Sequence, residues 1–505
     1  MRIIIIGAGI SSLTLATQLV KDGHEVIIID KNDRPGGVMA LYQEDVYSFE
    51  QGPLLIGDMN PGEAMYELLK SIGVTLPTQR CDRGLVLKDY RFIKPDKFQG
   101  KNWRKDLAKK YFPEDAAGID EYYRFYEALM KMRYLSLQNP SFLNRIRTVL
   151  TFLPIRKYQD MTCEQFTEKL FSNPDLRAVY TGILADFCVD PSEINCFSIP
   201  FTNAETAFDD RIDIYDKHGR QYYPAFNYVI GGVQQIPEAL ADYIEKNGGR
   251  FLYHRTVTKI NITNNRAESV LLDNGEELQA DIIVSAGGAH EVFYKLIGRE
   301  YLTEEYLSIL ENFRKMEAVF MLHLGVDYDP VQYQKQALVY YYGTSDLKGA
   351  TYRLRNGIYH DGQDGFLIFC DSYHAPDFAP QGKHCLTIYT VAPNRLNEGS
   401  WEENKEEYAD HLIALAEKYL PDLSSHITFR KIITADYYKE YTNTDFFSFG
   451  GLVPADGQVN PPHKTPISNF YFLGSQSESN GGITPTSGGG YKVYKLINDS
   501  LKHEQ

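Results

Sequence analysis

The chain opens with the stretch that decides its fold, Ile3-Ile4-Ile5-Ile6-Gly7-Ala8-Gly9-Ile10-Ser11-Ser12. Four consecutive isoleucines predict a parallel strand covered on both faces, because such strands are continuously apolar. The turn after them has the G-x-G-x-x-small form. Gly7 permits a tight turn, Gly9 lets the backbone approach a pyrophosphate, and the small Ser12 lets helix and strand pack closely.

The residues after this turn complete a βαβ unit. Apolar side chains recur at helical spacing, and a second apolar strand ends at Asp30, where a carboxylate can accept hydrogen bonds from a ribose. The N-terminus of the helix favours the negative charge of a phosphate. The opening thirty residues therefore predict a dinucleotide site.

Composition excludes several classes of protein. A chain of 505 residues exceeds the size of a single core, so at least two domains are expected. The net charge of −15 argues against a nucleic-acid partner. The six cysteines lack paired spacing, which favours a reducing cytoplasm, and no metal site is expected. No apolar stretch has the length of a membrane span.

The pattern along the chain predicts an α/β fold with two interleaved domains. A Rossmann-type domain is expected from 1–75, 228–290 and 442–505, and a mixed α+β substrate domain from 76–227 and 291–441. Strands are expected near 250–253, 268–272, 281–285, 318–325 and 470–473, and helices near 62–72, 119–137, 233–244 and 401–419. A short last helix is expected from about Tyr491, after a Gly488–Gly490 run that is as consistent with a flexible turn as with a cofactor contact.

Further motifs follow in an order that carries a family resemblance. They are Pro35-Gly36-Gly37, Phe49-Glu50-Gln51-Gly52-Pro53, Asn173-Pro174-Asp175-Leu176-Arg177, Gly231-Gly232, Ala379-Pro380-Gln381-Gly382-Lys383 and Gly481-Gly482-Ile483-Thr484-Pro485. Together with the opening, they resemble the phytoene desaturase-like family of FAD-dependent oxidoreductases, which includes carotenoid desaturases and isomerases and retinol saturase-like proteins. The resemblance implies a glutathione-reductase-like FAD domain and FAD as the cofactor.

The resemblance also implies which residues bind FAD. Those at the opening serve the pyrophosphate and ribose, the glycine pair serves the ribityl and flavin region, the backbone of Val257 meets the adenine, and the C-terminal segment lies beside the pyrimidine edge of the flavin. From the pattern alone, Val257 is more typical of a core valine at the end of a strand. The set is Gly7, Gly9, Ile10, Ser11, Ser12, Asp30, Lys31, Gly36, Gly37, Val38, Gly52, Pro53, Val257, Gly474, Gly482, Ile483 and Thr484.

The activity that the resemblance implies is hydride transfer between flavin and a carbon–carbon bond of a hydrophobic polyene or isoprenoid-like substrate. Desaturase, saturase and isomerase remain open, as does an electron acceptor such as a quinone or oxygen. The alternatives are an amine-oxidase or protoporphyrinogen-oxidase type of flavoenzyme and a flavin-binding partner protein without turnover. No catalytic acid or base is assigned.

Two further expectations concern the substrate domain. A set of aromatic residues is a candidate lining for an elongated apolar cavity, although each is individually also typical of an ordinary core or surface: Tyr122, Tyr123, Phe125, Tyr126, Phe187, Tyr215, Tyr222, Tyr223, Tyr228, Tyr340, Tyr341 and Tyr342. The basic amphipathic segment from Phe142 to Lys157 predicts either peripheral contact with the inner face of a membrane or a helix packed on its own core.

Overall fold

The computed structural model describes residues 1–98, 102–138 and 141–503. Its strands are β1 (Arg2–Ile6), β2 (Glu25–Ile29), β3 (Leu41–Glu44), β4 (Tyr47–Glu50), β5 (Thr78–Arg80), β6 (Gly84–Leu87), β7 (Tyr90–Phe92), β8 (Asn227–Val229), β9 (Arg250–Leu252), β10 (Val257–Thr263), β11 (Arg266–Leu272), β12 (Glu277–Gln279), β13 (Ile282–Ala286), β14 (Ala318–Val326), β15 (Leu338–Tyr342), β16 (Gly365–Phe369), β17 (His384–Ala392), β18 (Ile427–Ile433) and β19 (Phe470–Leu473).

The α-helices of the same ranges are α1 (Ile10–Lys21), α2 (Ala64–Ser71), α3 (Trp103–Tyr111), α4 (Ala116–Ser136), α5 (Phe142–Phe152), α6 (Cys163–Leu170), α7 (Pro174–Thr181), α8 (Ile199–Thr202), α9 (Gln235–Lys246), α10 (Glu304–Asn312), α11 (Val331–Gln334), α12 (Leu347–Arg355), α13 (Trp401–Ala416), α14 (Ala435–Thr442) and α15 (Ile483–His503). In the described ranges, none of these helices combines the length and apolarity needed to cross a membrane.

A parallel five-stranded sheet, in the order β19-β13-β1-β2-β9, contains the opening βαβ unit. β1 pairs with β13 on one side and β2 on the other, and Ile3, Ile4 and Ile5 are fully buried. Apolar residues of α1, α9 and α15 cover one face of the sheet, and the antiparallel β10-β11-β12 sheet contributes to the core on the other. Every strand of the five-stranded sheet falls within 1–75, 228–290 or 442–505.

A second, mixed sheet has the order β18-β14-β17-β16-β15-β6-β7. Its pairs are antiparallel except for β15 with β6. β14 is buried at every position, which explains why its sequence is continuously apolar instead of alternating. The helices α3 to α8 enclose a separate aromatic core beside this sheet. The α/β fold with a parallel Rossmann-like sheet and a mixed substrate-domain sheet is therefore confirmed.

The last helix differs from its prediction. It begins at Ile483 instead of near Tyr491, so the run of glycines lies inside the helix. A Cβ on Gly490 would stand 2.5 Å from the carbonyl oxygen of Ser11, because α15 packs directly on α1. Glycine is needed there for close approach of two helices, and the interpretation of this run as a turn was wrong.

Candidate active site

A cavity of about 1100 Å³ lies between the two large sheets and is lined by residues of both. Most of the predicted cofactor-binding residues line it. They are Gly7, Gly9, Ile10, Ser11, Asp30, Lys31, Gly36, Gly37, Val38, Gly52, Pro53, Val257, Gly474, Gly482 and Ile483. Ser12 and Thr484 do not line it.

The glycine turn forms one wall of the cavity. Gly7 has a φ of +93°, and a Cβ there would stand 2.8 Å from the carbonyl oxygen of Ala286 on the neighbouring strand. Gly9 is the N-cap of α1 with an ordinary φ of −74°, and no described atom lies within 4 Å of where its Cβ would stand. Gly9 therefore leaves open space at the N-terminus of α1, where a phosphate is favoured.

Ser12 is placed differently from its prediction. It lies in the first turn of α1 but is fully buried, and its hydroxyl has no partner among the described residues. The side chain of Ser12 faces the core instead of the cavity, so a contact between Ser12 and a pyrophosphate stays a prediction. Its small size serves close packing of α1.

Asp30 braces the glycine turn from the second strand. Its Oδ2 accepts a hydrogen bond of 2.7 Å from the backbone N–H of Ala8, and its Oδ1 accepts one of 2.8 Å from Asn32. Burial raises the pKa of Asp30, and these two hydrogen bonds oppose that rise. Each oxygen keeps a second lone pair for a ribose hydroxyl. Lys31 and Val257 line the cavity nearby.

The two glycine segments that follow are held against each other. Gly36 has a φ of +119° and donates a backbone hydrogen bond of 2.8 Å to the carbonyl of Ala8. A Cβ on Gly52 would stand 2.1 Å from the carbonyl oxygen of Val38. Backbone without side chains therefore lines this part of the cavity, as the resemblance implied.

In the Phe49–Pro53 motif, Glu50 and Gln51 have structural roles, because they hydrogen-bond other segments of the chain. The Oε1 atom of Glu50 accepts a hydrogen bond of 2.8 Å from the N–H of Val233, which follows the Gly231-Gly232 pair. The amide of Gln51 donates to the carbonyl of Ala40 and accepts from the hydroxyl of Tyr437. The motif thus joins the segments around the cavity, and its glycine and proline are the residues that line it.

Glu50 is expected to make stability fall as pH rises. Burial raises its pKa to about 8, the Val233 hydrogen bond opposes the rise, and the nearby Asp371 adds to it. A carboxyl with a raised folded-state pKa loses stability from the unfolded pKa upward, here from about pH 4.3. We expect Glu50→Gln to be more stable than wild type at pH 8, by on the order of 2 kcal/mol in unfolding free energy, and to match it near pH 4. Thermal denaturation of both proteins at the two pH values checks this, and an equal pH dependence in the two would contradict it.

The C-terminal segment completes the wall opposite the opening turn. A Cβ on Gly481 would stand 1.3 Å from the carbonyl oxygen of Gly450, so two glycine-containing loops meet here. Gly482, Ile483 and Thr486 line the cavity at the N-terminus of α15. Two helices therefore direct their positive ends into one space.

Thr484 is turned away from this space. It is exposed, and its side chain hydrogen-bonds Asp58. Successive positions on a helix point in different directions, so Thr484 does not line the cavity beside Ile483, and its contact with the cofactor stays a prediction. Thr486, two residues later, lines the cavity and was not predicted.

The opposite part of the cavity is apolar and aromatic, but its residues are mostly not the predicted ones. Of the predicted aromatic set, Phe187 alone lines it within the described ranges. Tyr122, Tyr123, Phe125 and Tyr126 are buried in the core among α3 to α8. The aromatic residues that do line the cavity are Phe187, Phe201, Tyr389, Tyr441, Phe447 and Phe449.

Asp186 lies among these aromatic residues and was not singled out from the sequence. It lines the cavity next to Phe187 and hydrogen-bonds Tyr340. Burial raises the pKa of Asp186 to about 6, while the Tyr340 hydrogen bond and the charge of Arg83 oppose that rise. Asp186 therefore changes charge near neutral pH, in the range where a carboxyl can both accept and donate a proton.

The family model described as flavin-containing amine oxidoreductase matches residues 10–486. The chain belongs to this family. Chloroplastic prolycopene isomerase 1 of an Oncidium hybrid cultivar is 25% identical over 493 residues, covering 93% of this chain and 79% of that protein. The lycopene-forming phytoene desaturase of Pantoea ananas is 22% identical over 525 residues, covering 98% of this chain and 99% of that protein. The resemblance stated from the motifs is confirmed.

A solved structure of a putrescine oxidase variant has the same fold, with a TM-score of 0.62, 15% identity and 99% coverage of both chains. Membership in the flavin-containing amine oxidoreductases implies a flavin cofactor and a flavin oxidoreductase. The residues that line the cavity fit a flavin cofactor. Open space at Gly9, two helix N-termini and the Asp30 carboxylate all face this one cavity. Gly7, Gly9, Asp30, Gly36, Gly52 and Gly482 are the residues placed to hold it.

Proposed function

We propose that this family member binds FAD and transfers hydride between the flavin and a carbon–carbon bond of a hydrophobic polyene or isoprenoid-like substrate. The observation that carries the proposal is the continuity of the cavity. One side of the cavity combines glycine loops, helix N-termini and the carboxylate of Asp30. The other side combines aromatic rings with the carboxyl of Asp186. A volume of about 1100 Å³ is at the upper end for a drug-sized ligand and suits an elongated cofactor with a substrate beside it.

The choice of FAD over a shorter flavin rests on the nucleotide side of the cavity. Asp30 and Val257 lie beyond the phosphate-binding turn, where FMN has no group to place. The choice of a hydrophobic substrate rests on the aromatic lining, and the relatives described above include an isomerase and a desaturase of polyenes. Both choices extend the family assignment.

Bound FAD supplies the hydride acceptor or donor. The N–H groups at the start of α1 would bind the pyrophosphate, and those at the start of α15 would favour negative charge on the flavin. Phe187, Phe447 and Phe449 exclude water from the reacting carbon atoms.

Asp186 carries the proton. Dehydrogenation of a CH–CH bond removes one hydride and one proton, so a base must accept the proton when flavin takes the hydride. The carboxylate of Asp186 accepts it at an Oδ atom, and the protonated carboxyl returns it when the reaction runs toward saturation. Asp186 can serve either direction of the reaction, and the redox state of the flavin would determine which direction is taken.

The test is an absorbance experiment on the purified protein. Extraction should release FAD, and anaerobic addition of polyene lipids should bleach the oxidised flavin for a desaturase or restore its colour from the dithionite-reduced form for a saturase. An isomerase would shift the polyene spectrum in the presence of reduced flavin without net change of the flavin. Absence of flavin after reconstitution with FAD would overturn the proposal.

An amine-oxidase type of function is the second candidate, because a carboxyl beside aromatic rings can also pair with an ammonium group. The same experiment separates the two candidates when the panel includes primary amines and polyamines. Bleaching by an amine and by no polyene would replace the proposed function. Bleaching by neither class would favour a flavin-binding partner protein without turnover.

A further inference from the structure

The helix α5 has its apolar side facing solvent. Five of its residues, together with Leu153 just after it, are exposed: Phe142, Leu143, Ile146, Val149, Leu150 and Leu153. No described residue of α5 is buried. The alternative prediction of an amphipathic helix packed on its own core is therefore wrong for α5, since a helix that contributes to a core buries its apolar stripe.

The spacing shows that the exposed side chains form one stripe. At 100° per residue, positions 142, 146, 149, 150 and 153 fall within a single arc on the helix, with 143 at its edge. The polar Asn144 and Thr148 lie on the other side and are half-buried. This orientation is the reverse of an ordinary surface helix, in which polar residues face water.

Cationic residues border the stripe. Arg145 and Arg147 lie on its two flanks and Arg156 lies shortly after it, and all three are exposed. None of them forms an ion pair within 1–98, 102–138 and 141–503. This local positive charge stands out in a chain whose net charge is −15. An apolar stripe flanked by arginines is the composition of a helix that lies in the interface of an anionic membrane.

A contact between aromatic rings links the last turn of α5 to a segment that lines the cavity. Phe152, on the last turn of α5, contacts Phe197 with ring centroids 6.4 Å apart. Phe197 adjoins Ser198, which lines the cavity with Phe201 of α8, and the Phe201 ring is 42% exposed. Phe201 therefore lines the cavity and also reaches the surface, and it lies four residues along the chain from Phe197, which α5 contacts.

We propose that α5 lies in the headgroup region of an anionic bilayer. We further propose that the substrate of the protein enters the cavity from the lipid past Phe201. The first half of this proposal depends on the surface alone. The second half rests on the proposed function, because it requires a substrate that partitions into lipid.

Vesicle flotation of the FAD-loaded protein tests the first half. We expect the wild type to float with vesicles of phosphatidylcholine mixed with phosphatidylglycerol and to float less with phosphatidylcholine alone. The variant Val149→Glu/Leu150→Glu should lose binding to both, by on the order of 10-fold or more. The matched control is Val46→Glu, because Val46 in the β3–β4 turn is 65% exposed and Val149 is 57% exposed. The control should float like the wild type.

Removal of the flanking arginines separates the electrostatic attraction to anionic lipid from the insertion of the apolar stripe. Arg145→Ala/Arg147→Ala should bind the mixed vesicles no better than phosphatidylcholine alone. Equal flotation of the wild type and the Val149→Glu/Leu150→Glu variant would overturn the proposal. The proposal would also be overturned if the wild type does not float but forms a dimer, and the Val149→Glu/Leu150→Glu variant is a monomer. That result would assign α5 to a contact between two copies of the chain.

A detergent assay distinguishes this inference from the proposed function. With a polyene dispersed in detergent, the Val149→Glu/Leu150→Glu variant should bleach its flavin at the wild-type rate, whereas with the polyene in mixed vesicles the rate should fall on the order of 10-fold. Equal rates of the two proteins in vesicles would refute entry from the lipid. Absence of a polyene reaction in the wild type would refute the proposed function and leave the flotation result standing.

Discussion

Gly9→Ala is expected to abolish FAD retention without unfolding the protein. The backbone of Gly9 is ordinary, with a φ of −74°, and no described atom lies within 4 Å of the added methyl group. Alanine at an N-cap costs about 1 kcal/mol or less relative to glycine. The methyl group would therefore occupy only the space in front of the N-terminus of α1. We expect FAD to bind on the order of 100-fold more weakly, because the pyrophosphate can no longer approach the backbone.

The measurement is the ratio of flavin to protein absorbance after purification, followed by titration with FAD and thermal denaturation of the flavin-free protein. Gly488→Ala is the matched control. Gly488 lies within α15, no described atom lies within 4 Å of its added methyl group, and it does not line the cavity. This control should keep its FAD and gain up to about 1 kcal/mol from helix propensity. Full FAD occupancy in Gly9→Ala would place the pyrophosphate elsewhere.

Asp186→Asn is expected to lose catalysis while keeping FAD. The amide has the shape of the carboxyl but cannot accept a proton, so turnover of a polyene should fall by on the order of 100-fold to 10,000-fold. The wild-type rate of dehydrogenation should rise with pH through about 6, because the base must be ionised and burial raises the pKa of Asp186 to about 6. The variant should lack this dependence. Stopped-flow bleaching of the flavin between pH 5 and pH 8 measures both effects.

The variant Tyr340→Phe tests whether Asp186 acts in proton transfer. It should shift the pH profile of the reaction, which a purely structural role of Asp186 would leave unchanged. The Tyr340 hydrogen bond lowers the pKa of Asp186, so its removal should shift the pH profile upward while the protein stays active at high pH. Tyr340 does not line the large cavity, so the change leaves the aromatic lining in place. An unshifted profile in Tyr340→Phe, or an unaltered rate in Asp186→Asn, would remove Asp186 from the reaction.

The sequence predicted those parts of the fold and site that depend on local backbone chemistry. Gly7, Gly36 and Gly52 are required by a positive φ or by close backbone contacts, and such requirements leave a pattern in adjacent residues. The buried isoleucines of β1 likewise indicate a strand covered on both faces. The inward direction of the Ser12 side chain was not predicted, because a motif specifies the size of its third residue and not the direction in which that residue points.

The parts that were not predicted depend on contacts between distant segments. Asp186 lies in a short 3-10 helix, Gly182–Phe187. Its raised pKa depends on burial and on Tyr340 of β15, which is distant in sequence. Gly490 was interpreted as part of a turn because its reason, the approach of α15 to α1, involves a helix more than 450 residues away. The α5 pattern is amphipathic in either orientation, so only the structure shows that its apolar side faces out.

The parallel sheet has a consequence for the order of events during protein synthesis. β1 lies between β2 and β13, and β13 pairs on its other side with β19, which comes much later in the chain. Until β19 and α15 have emerged from the ribosome, β13 is an unpaired edge and α1 lacks the helix that packs on it. The parallel sheet that borders the cavity is therefore completed late, and a nascent chain must protect an apolar parallel edge until β19 has been added.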